Sequence, residues 1–530
     1  IANTGTDEAN HMLEIAGPWM RPGYLLPVFD LEAGMSQRTS AQLSQFTIDF
    51  SDRIFAVKGI RPLIYTNQTY ANYVQPSVAA TYPHLWIARW PNQSNPDAID
   101  IQNGNPPPSP PGSNVYGRWN PSFPTIPNPQ PWAFWQYAST IKVPGIGGGT
   151  QNVDGNVANG DIEFVKDFLV PALWLSDASG DFGTVTNWNT RADPSGQGPP
   201  ARLPGQTAAG WNDTVILDRG AANVTVTVST GSFSLRRLFN HETLALAGGG
   251  VSVWRHVRNN GTMSFSGGAL TVTGSGSLEN QGQLYFTGGV LSTPLLMGNG
   301  SLNVSAGSLS LARLEQNQLT IHGTGLLRLA AAGTTSVSVI RSLNSGGGQV
   351  DLGDEALVIN YTGSSPINVV RTTLASGYNQ GGWNGSGILS HLAAADPARR
   401  SAVGLAEATD IGSPNAFLGH PIDATSLLMR YTLYGDTNLS GTVDVNDFST
   451  FAAHFNSAGR WATGDFNYDM QVGLSDFALL AANFNQSISG DLPRQALVPE
   501  PGLGLTLTGF AGLAFARRRR FQGIKPPAVR

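Results

Sequence analysis

The chain of 530 residues contains no cysteine, so disulfide bonds and thiol chemistry are excluded. Charged residues make up only 13%, and the net charge of −5 leaves no broad basic surface for nucleic acid. The eight histidines are scattered, without an HExxH motif or a paired metal spacing, and no P-loop is present. Glycine and proline are abundant instead, with 63 and 34 residues. The length predicts three or four domains.

The first part of the chain, residues 1–175, alternates short apolar runs with helical patterns. This alternation predicts an α/β domain with a parallel sheet. Residues 91–131 are rich in proline and asparagine, which predicts a long loop. The predicted strands are at 24–30, 62–66, 85–90 and 132–138, and the predicted helices are at 7–20, 37–58, 67–80 and 161–169.

The first predicted strand ends in the sequence LPVFDLEAG, which places Asp30 and Glu32 one residue apart. Positions i and i+2 of a strand face the same side, about 6.6 Å apart along the chain. Two carboxylates at this spacing repel each other, which is poorly suited to a purely structural role. This stretch alone is equally well explained by a strand that runs into a solvated turn at Gly34.

Residues 176–430 have a different sequence pattern, in which short stretches of alternating apolar and polar residues are separated by glycine and asparagine. Similar segments begin around Gly261, Gly282 and Gly300, so the repeat is close to 20 residues with period-2 apolar positions. Such a repeat predicts stacked coils of a β-solenoid, and a β-sandwich is the alternative. Since no cluster of acids or histidines is visible, we expect this region to serve in spacing or adhesion.

Residues 431–490 contain two sequences of the EF-hand calcium-loop type, 436–447 and 465–476, and each is followed by an apolar helical pattern. Met470 replaces the glycine of the second loop and Gly473 replaces its ninth-position acid, so we expect the second site to be weaker. The predicted calcium ligands, with the carbonyl oxygens of Thr442 and Gln471, are Asp436, Asn438, Ser440, Thr442, Asp444, Asp447, Asp465, Asn467, Asp469, Gln471 and Asp476.

This duplicated loop–helix pattern resembles a type I dockerin. The resemblance implies structural Ca²⁺ and a cohesin-type protein partner. Dockerin-like pairs in surface proteins also occur without a known partner, and calcium-stabilised folding is then their only role.

Residues 491–530 contain Pro499-Glu500-Pro501, an apolar run at 502–516 and four arginines at 517–520. Fifteen helical residues reach about 22 Å, which is short of a hydrocarbon core of about 30 Å. The stretch resembles a PEP-CTERM sorting signal, which implies export, a membrane-inserted C-terminal helix and cleavage by an exosortase-type enzyme. No signal peptide precedes Asp7, so we expect that an N-terminal part is missing.

The N-terminal region resembles glycoside hydrolase family 25, the lysozymes that cut peptidoglycan. The motifs occur in the family's order: VFDLE with its D-x-E pair, GIRPLIYTN, LWIARW, FWQYA and VDGN. The family's fold implies an α/β TIM-like barrel. Its first strands, which carry another aspartate, would precede residue 1, so we expect an incomplete barrel and poor activity of this exact chain.

The resemblance also implies roles for individual residues. Glu32 is the general acid, Asp30 orients or polarises the substrate or assists its acetamido group, and Asp154 completes the acidic site. We expect Trp86 and Trp135 to point outward to the helices, although strand-end aromatic residues are also sugar-stacking candidates. The substrate-binding candidates are Tyr65, Trp90, Trp135, Gln136 and Tyr137.

The sequence therefore predicts a multidomain protein with an incomplete barrel, a β-solenoid, a small α-helical calcium-binding dockerin and a C-terminal apolar helix. The predicted function is that of an exported cell-surface lysozyme, which cleaves the β-1,4 bond between N-acetylmuramic acid and N-acetylglucosamine without a catalytic cofactor. The alternative is a non-catalytic surface or adhesion protein with a sugar-binding barrel remnant.

Overall fold

The structure is a computed structural model, and it describes residues 3–91, 94–95, 115–119, 132–146, 151–206, 212–330 and 336–488. Within these ranges, no helix is long and apolar enough to cross a membrane. The predicted C-terminal apolar helix and its arginine cluster lie outside the described residues, as does most of the predicted loop at 91–131.

The N-terminal domain is built on a five-stranded sheet in the order β1-β2-β3-β4-β5. The first four strands are parallel, as predicted, and the fifth is antiparallel to the fourth. The described strands form an open sheet in which β1 is an edge strand. The strands are β1 Val28–Leu31, β2 Leu63–Asn67, β3 Leu85–Ala88, β4 Trp132–Lys142 and β5 Asn152–Ala158; the helices are α1 Gly5–Ala16, α2 Ser40–Lys58, α3 Gln68–Tyr73, α4 Pro76–Thr81 and α5 Ile162–Lys166.

Strand alternation divides the side chains of this sheet between two faces. Phe29, Ile64 and Ile87 are buried on the face that packs against the helices. The neighbouring positions Asp30, Tyr65 and Trp86 are aligned with one another on the opposite face. Because all of β1–β3 run parallel, their carboxyl ends meet at one edge, and this edge carries the candidate site.

The following region is a β-solenoid of parallel strands, so the β-sandwich alternative is wrong. Equivalent inward positions of successive coils stack directly, as in the row Leu244, Met263, Leu284 and Leu302. The strands are β6 Ala172–Leu173, β7 Gly180–Asp181, β8 Thr214–Leu217, β9 Thr225–Val228, β10 Ser232–Asn240, β11 Thr243–Leu246, β12 Gly250–Asn259, β13 Thr262–Val272, β14 Ser277–Asn280, β15 Gln283–Ser292, β16 Leu296–Met297, β17 Ser301–Val304, β18 Ser308–Leu311, β19 Glu315–His322, β20 Leu326–Leu329, β21 Val337–Gly346, β22 Gln349–Asp351 and β23 Ala356–Asn360.

A ladder of buried amides fixes the register of the coils. The Asn240 amide donates to the Oδ1 atom of Asn259 at 2.7 Å, and Asn259 donates to Asn280 at the same distance. Asn280 then donates to the Oε1 atom of Gln316 at 2.6 Å. A one-residue slip would leave these buried amides without partners, so the ladder favours a single register.

The solenoid ends in a mixed module that continues into the two predicted calcium loops. In this module β28 pairs antiparallel with both β23 and β25, and the hairpin β26–β27 projects from it. One continuous core extends from the first coil to α9. The remaining elements are α6 Ile367–Tyr378, β24 Gly387–Leu389, α7 His391–Ala395, β25 Ser401–Glu407, β26 Ala416–Phe417, β27 His420–Pro421, β28 Ser426–Leu433, β29 Thr442–Val443, α8 Val445–His454, α9 Leu474–Asn483 and β30 Gln486–Ser487.

A buried arginine joins the N-terminal domain to the solenoid. The Arg236 side chain on β10 is 0% exposed and forms ion pairs with Glu163 of α5 and with Asp167 at the C-terminal end of that helix. Its Nη2 atom also donates to the Glu163 carbonyl oxygen at 2.6 Å. A buried guanidinium is stable only when its donors are satisfied, so the N-terminal domain and the first coils stabilise each other.

Replacing Arg236 with Ala should therefore lower the unfolding free energy by about 3 kcal/mol, because it leaves a cavity and removes the buried cation that Asp167 and Glu163 share. The cations that remain beside them, Arg237 and Lys166, are more exposed. Thermal denaturation of the full chain measures the effect. The control is Arg237→Ala, since Arg237 pairs with the same Asp167 but its side chain is 27% exposed. The control should cost below about 1 kcal/mol, and equal losses for both variants would contradict the interface role.

Candidate functional site

Two carboxylates lie at the carboxyl end of the edge strand β1. Asp30 is on β1 and Glu32 directly follows it, and both side chains are exposed. Partial burial of the Asp30 carboxyl raises its pKa. The Asp30 carboxyl is therefore partly shielded from solvent at the end of the strand.

Asn67 at the end of the neighbouring strand orients Glu32. Its Oδ1 atom caps α3 by accepting the backbone N–H groups of Thr69 at 3.0 Å and Tyr70 at 3.2 Å. This cap fixes the amide, whose Nδ2 atom donates to the Oε1 atom of Glu32 at 3.2 Å. The sequence analysis did not identify Asn67, although it follows Tyr-Thr in the quoted strand.

A second network joins three side chains next to the carboxylates. The Oε1 atom of Gln136 accepts from the Tyr65 hydroxyl at 2.8 Å and from the Trp90 indole at 2.7 Å. Gln136 is 5% exposed, whereas the Trp90 side chain is 46% exposed. Tyr65, Trp90 and Gln136, all predicted substrate-binding residues, are thus brought together by the structure.

The electrostatics of Tyr65 show that three acids converge on this site. Burial raises the pKa of its phenol to about 12, with further increases from the charges of Glu32, Asp30 and Asp154. Asp154 is exposed on β5, two positions from the residue that pairs with Gln136. The charges of all three predicted catalytic residues therefore act on one phenol, which stays protonated at neutral pH.

Trp86 and Asn156 extend the site along the sheet. The Trp86 indole donates to the Oδ1 atom of Asn156 at 2.9 Å, and its ring packs edge-on against Tyr65 with 5.7 Å between the centroids. The expectation that Trp86 points to the helices is wrong, because it aligns with Tyr65 on the same face. Asn156 lies two residues from Asp154 in VDGN, and this period-2 spacing is the signal that was missed.

Trp135 and Tyr137 do not join this cluster. Trp135 is 0% exposed in the core on the helix face, and its indole donates to the Arg89 carbonyl oxygen at 2.8 Å. Tyr137 packs against the same core, with 5.7 Å between its ring and that of Trp135. Burial therefore removes Trp135 from the candidate sugar contacts, and Tyr137 packs with it as a core residue.

A groove of about 620 Å³ follows the open edge of β1. Asp30 lines it together with His11, Met12, Gly34 and Phe46. Its volume falls in the range of about 300–1,000 Å³ that is typical of small-molecule sites. A polymer that reaches the carboxylates thus has an open path on one side of Asp30.

This arrangement of acids and aromatic rings suits glycosidic bond cleavage. One carboxyl group can protonate a leaving oxygen while an ionised carboxylate stabilises positive charge on the sugar. Tyr65 and the exposed Trp90 offer ring faces and polar tips to a sugar.

The raised pKa of Asp30 predicts the acidic limb of a pH–rate profile. If ionised Asp30 assists the reaction, it becomes protonated and loses this charge as the pH is lowered, so the rate falls. Because the pKa of Asp30 is raised, this fall should begin at a higher pH than it would for a solvent-exposed aspartate. Asp30→Asn should lower the maximal rate and flatten this limb. Initial rates of reducing-end release over the acidic and neutral range measure both effects. An unchanged limb in the variant would contradict the assignment.

The two predicted calcium loops repeat the same hydrogen bonds. In the first loop, the Oδ1 atom of Asp447 accepts the Thr437 N–H at 2.9 Å, and its Oδ2 atom accepts the Asp444 N–H at 2.9 Å. In the second loop, Asp476 accepts the N–H groups of Phe466 at 2.8 Å and Gly473 at 2.9 Å. The final acid thus closes each loop in the same way.

The first acids of the loops, Asp436 and Asp465, are both 0% exposed. Burial raises the pKa of each to about 6, and in each loop the charge of the final acid contributes to the increase. The Oδ1 atom of Asp465 is buried without a hydrogen-bond partner. Buried carboxylates are costly unless a cation or donor compensates them, so these oxygens fit a hard divalent cation.

No group of three histidine, cysteine or acidic side chains that could hold a metal is present within the described ranges. Each loop instead combines two buried carboxylates with less buried amide, hydroxyl and carbonyl oxygens. The loops are also fixed to the preceding module: the Arg430 guanidinium of β28 donates to the Leu439 carbonyl oxygen of the first loop at 3.0 Å, and Arg371 of α6 pairs with Asp465 of the second.

Residues 1–146 match the family model "Glycosyl hydrolases family 25". The chain is 28% identical to Lysozyme M1 of Streptomyces globisporus over 169 residues. This alignment covers 30% of the chain and 46% of that lysozyme. A crystal structure of the bacterial lysozyme from Streptomyces coelicolor is 25% identical, covers 32% of this chain and 67% of that chain, and has a TM-score of 0.23. Over residues 1–146 the chain is therefore similar to the glycosyl hydrolases of family 25.

Proposed function

We propose that the protein is an exported cell-surface muramidase, which hydrolyses the β-1,4 bond between N-acetylmuramic acid and N-acetylglucosamine in peptidoglycan. The observation that carries the proposal is the convergence of Asp30, Glu32 and Asp154 on Tyr65 in a domain that matches a lysozyme family. The chain spans about half of the lysozyme that it matches, so substrate and activity are proposals for this chain.

In this proposal Glu32 is the general acid. Held by Asn67, it donates a proton to the glycosidic oxygen as the bond to the leaving sugar breaks. Asp30 and Asp154 carry negative charge next to the oxocarbenium-like carbon, and Asp30 also orients the acetamido group. Water then adds to that carbon and gives a proton to the Glu32 carboxylate, which restores the general acid, and no cofactor takes part. Tyr65, Trp90 and Gln136 bind the sugar rings.

The experiment that tests this function is digestion of purified peptidoglycan with the full chain. Mass spectrometry of the borohydride-reduced products identifies the new reducing sugar. Reduced N-acetylmuramic acid ends support the muramidase. Reduced N-acetylglucosamine ends would indicate that the other glycan bond is cut. Because poor activity is expected of this chain, digestion is prolonged at high protein concentration, and absence of new ends under these conditions from a folded chain would overturn the hydrolase proposal.

We further propose that Ca²⁺ binds the two loops and stabilises the C-terminal module. The residues that would hold it are the sequence-predicted ligands of the first loop, with Asp436 and Asp447 as the buried acids, and their counterparts in the second. Calcium supplies a structural charge there and takes no part in hydrolysis. A cohesin-type protein is the proposed partner of the dockerin-like helices.

Export and surface attachment are supported by the sequence at 491–530 alone. The proposed order is export, insertion of the apolar run 502–516, and cleavage by an exosortase-type enzyme near Pro499-Glu500-Pro501. Cell fractionation, with mass spectrometry of the mature C-terminus, tests this order.

The second candidate is a non-catalytic surface protein that binds glycan. The open edge of β1 favours it, because the acid site is exposed on that side and is less able to exclude water. Binding to peptidoglycan without any release of reducing ends would identify this function.

A further inference from the structure

A polar cleft lies where the last solenoid coils meet the terminal module, far along the chain from the carboxylate site. Its volume is about 620 Å³, within the range of about 300–1,000 Å³ typical of ligand sites. Glu279 and Glu315 line it from the solenoid, and Tyr361, His420 and Asp423 line it from the module. The proposed hydrolase function uses none of these residues.

The coil register places the two glutamates in one row. Glu279 on β14 pairs with Met297 on β16, and the bridge between Leu296 and Leu314 aligns Met297 with Glu315 on β19. The glutamates are therefore two strands apart, about 9.6 Å. Their side chains are 22% and 32% exposed, so both are held partly buried and still face the cleft.

Donors lie next to these acceptors. Arg341 and Asn317 also line the cleft, and neither side chain has a hydrogen bond or ion pair within the part of the chain that the structure describes. Their N–H groups are available to a ligand. The cleft thus offers carboxylate acceptors in a row together with uncommitted amide and guanidinium donors.

This lining selects against several ligand classes. The charges of the cleft are close to balance, because Glu279 pairs with Arg258 and Glu315 pairs with Arg313. Asp423 is accompanied by the cationic groups Arg341 and His420, so a neutral ligand is favoured over phosphates and charged polymers. Peptide sites usually have a deep aromatic or aliphatic anchor pocket, whereas this lining is dominated by charged and amide side chains. Sugar hydroxyls both donate and accept, which matches mixed carboxylates and amides, and Tyr361 adds an aromatic ring.

We propose that this cleft binds a neutral β-1,4-linked oligosaccharide that crosses the coils from Glu279 to Glu315. Each sugar in such a chain is turned over relative to the one before it, so equivalent hydroxyls recur at every second sugar. Glu279 and Glu315, which are two strands apart, can therefore accept hydrogen bonds from equivalent hydroxyls of two sugars that are separated by one other sugar. The site would hold the protein on a neutral polysaccharide independently of its hydrolytic domain.

Calorimetric titration of the full chain tests the site, with Glu32→Gln present throughout to prevent cleavage. The probes are the β-1,4-linked hexamers of glucose and N-acetylglucosamine, with a galacturonate hexamer as the acidic comparison. The double variant Glu315→Gln/Asn317→Ala should weaken binding of the neutral hexamers about tenfold or more, since two polar contacts are lost. The matched control Asp354→Asn, an exposed acid outside the cleft, should bind like the parent chain.

Binding of both neutral hexamers supports recognition of the shared sugar chain, and binding of the N-acetylglucosamine hexamer alone adds a contact to the acetamido group. Unchanged affinity in the double variant, or equal affinity for the galacturonate hexamer, would overturn the proposal. Thermal midpoints of all variants establish that they are folded. Peptidoglycan digestion by the chain with native Glu32 is measured separately, so that failure of cleft binding and failure of hydrolysis are distinguished.

Discussion

Glu32→Gln is expected to reduce the release of reducing ends from peptidoglycan about a thousandfold, because a positioned general acid contributes about 10²–10⁴ in rate. Glutamine has nearly the same shape and its carbonyl oxygen can still accept the Asn67 amide, which donates at 3.2 Å in the structure. It has no acidic proton for the leaving oxygen. Substrate binding should therefore persist while catalysis is lost.

The matched control is Glu14→Gln, a change of the same chemistry at an exposed position of α1 outside the groove. It should retain full activity. Asn67→Asp is an informative second variant, since it keeps the acceptor that caps α3 but removes the donor to Glu32. Activity of this variant should fall about tenfold without loss of folding. Full activity in Glu32→Gln would assign the acid role to another carboxyl group.

The family resemblance predicted the acid site, which strand periodicity alone left open, and strand periodicity placed one tryptophan on the wrong face. The D-x-E spacing of Asp30 and Glu32 required only that β1 be a strand, and the structure places Asp30 in register with Tyr65. Trp86 was assigned to the wrong face, because the sequence alone does not give the pairing of β3 with its neighbours. The register of β3 and β4 shifts between Leu85 and Trp86, which no local pattern indicates.

Contacts between distant residues were also outside the reach of the sequence. The Glu32–Asn67 bond spans 35 positions and the Trp86–Asn156 bond spans 70. Arg236 gave no sequence signal, since its environment depends on how the N-terminal domain packs against the solenoid. By contrast, the repeat near 20 residues predicted the solenoid, because each coil of a solenoid contacts only its sequence neighbours.

Removal of calcium should lower the thermal midpoint of the full chain. At a free calcium concentration of 100 times the Kd, a single site that exists only in the folded state stabilises it by about 2.7 kcal/mol. Without calcium, Asp436 and Asp447 remain buried close to each other, and like charges in a buried site destabilise the fold. Differential scanning calorimetry with excess calcium or excess chelator measures the difference.

The first loop should account for most of this effect. The second loop has Met470 at φ 77°, where Gly441 stands at φ 87° in the first, and a non-glycine residue in that conformation costs about 1–2 kcal/mol. The second loop also has Gly473 at the ninth position, where the first loop has an acid. The Arg371 guanidinium pairs with Asp465, and this positive charge weakens the attraction of the second loop for a cation. Asp436→Asn should thus abolish most of the calcium response, whereas Asp465→Asn should remove a smaller part. Asp354→Asn is the exposed control, and a calcium response that survives in Asp436→Asn would show that the stabilising ion binds elsewhere.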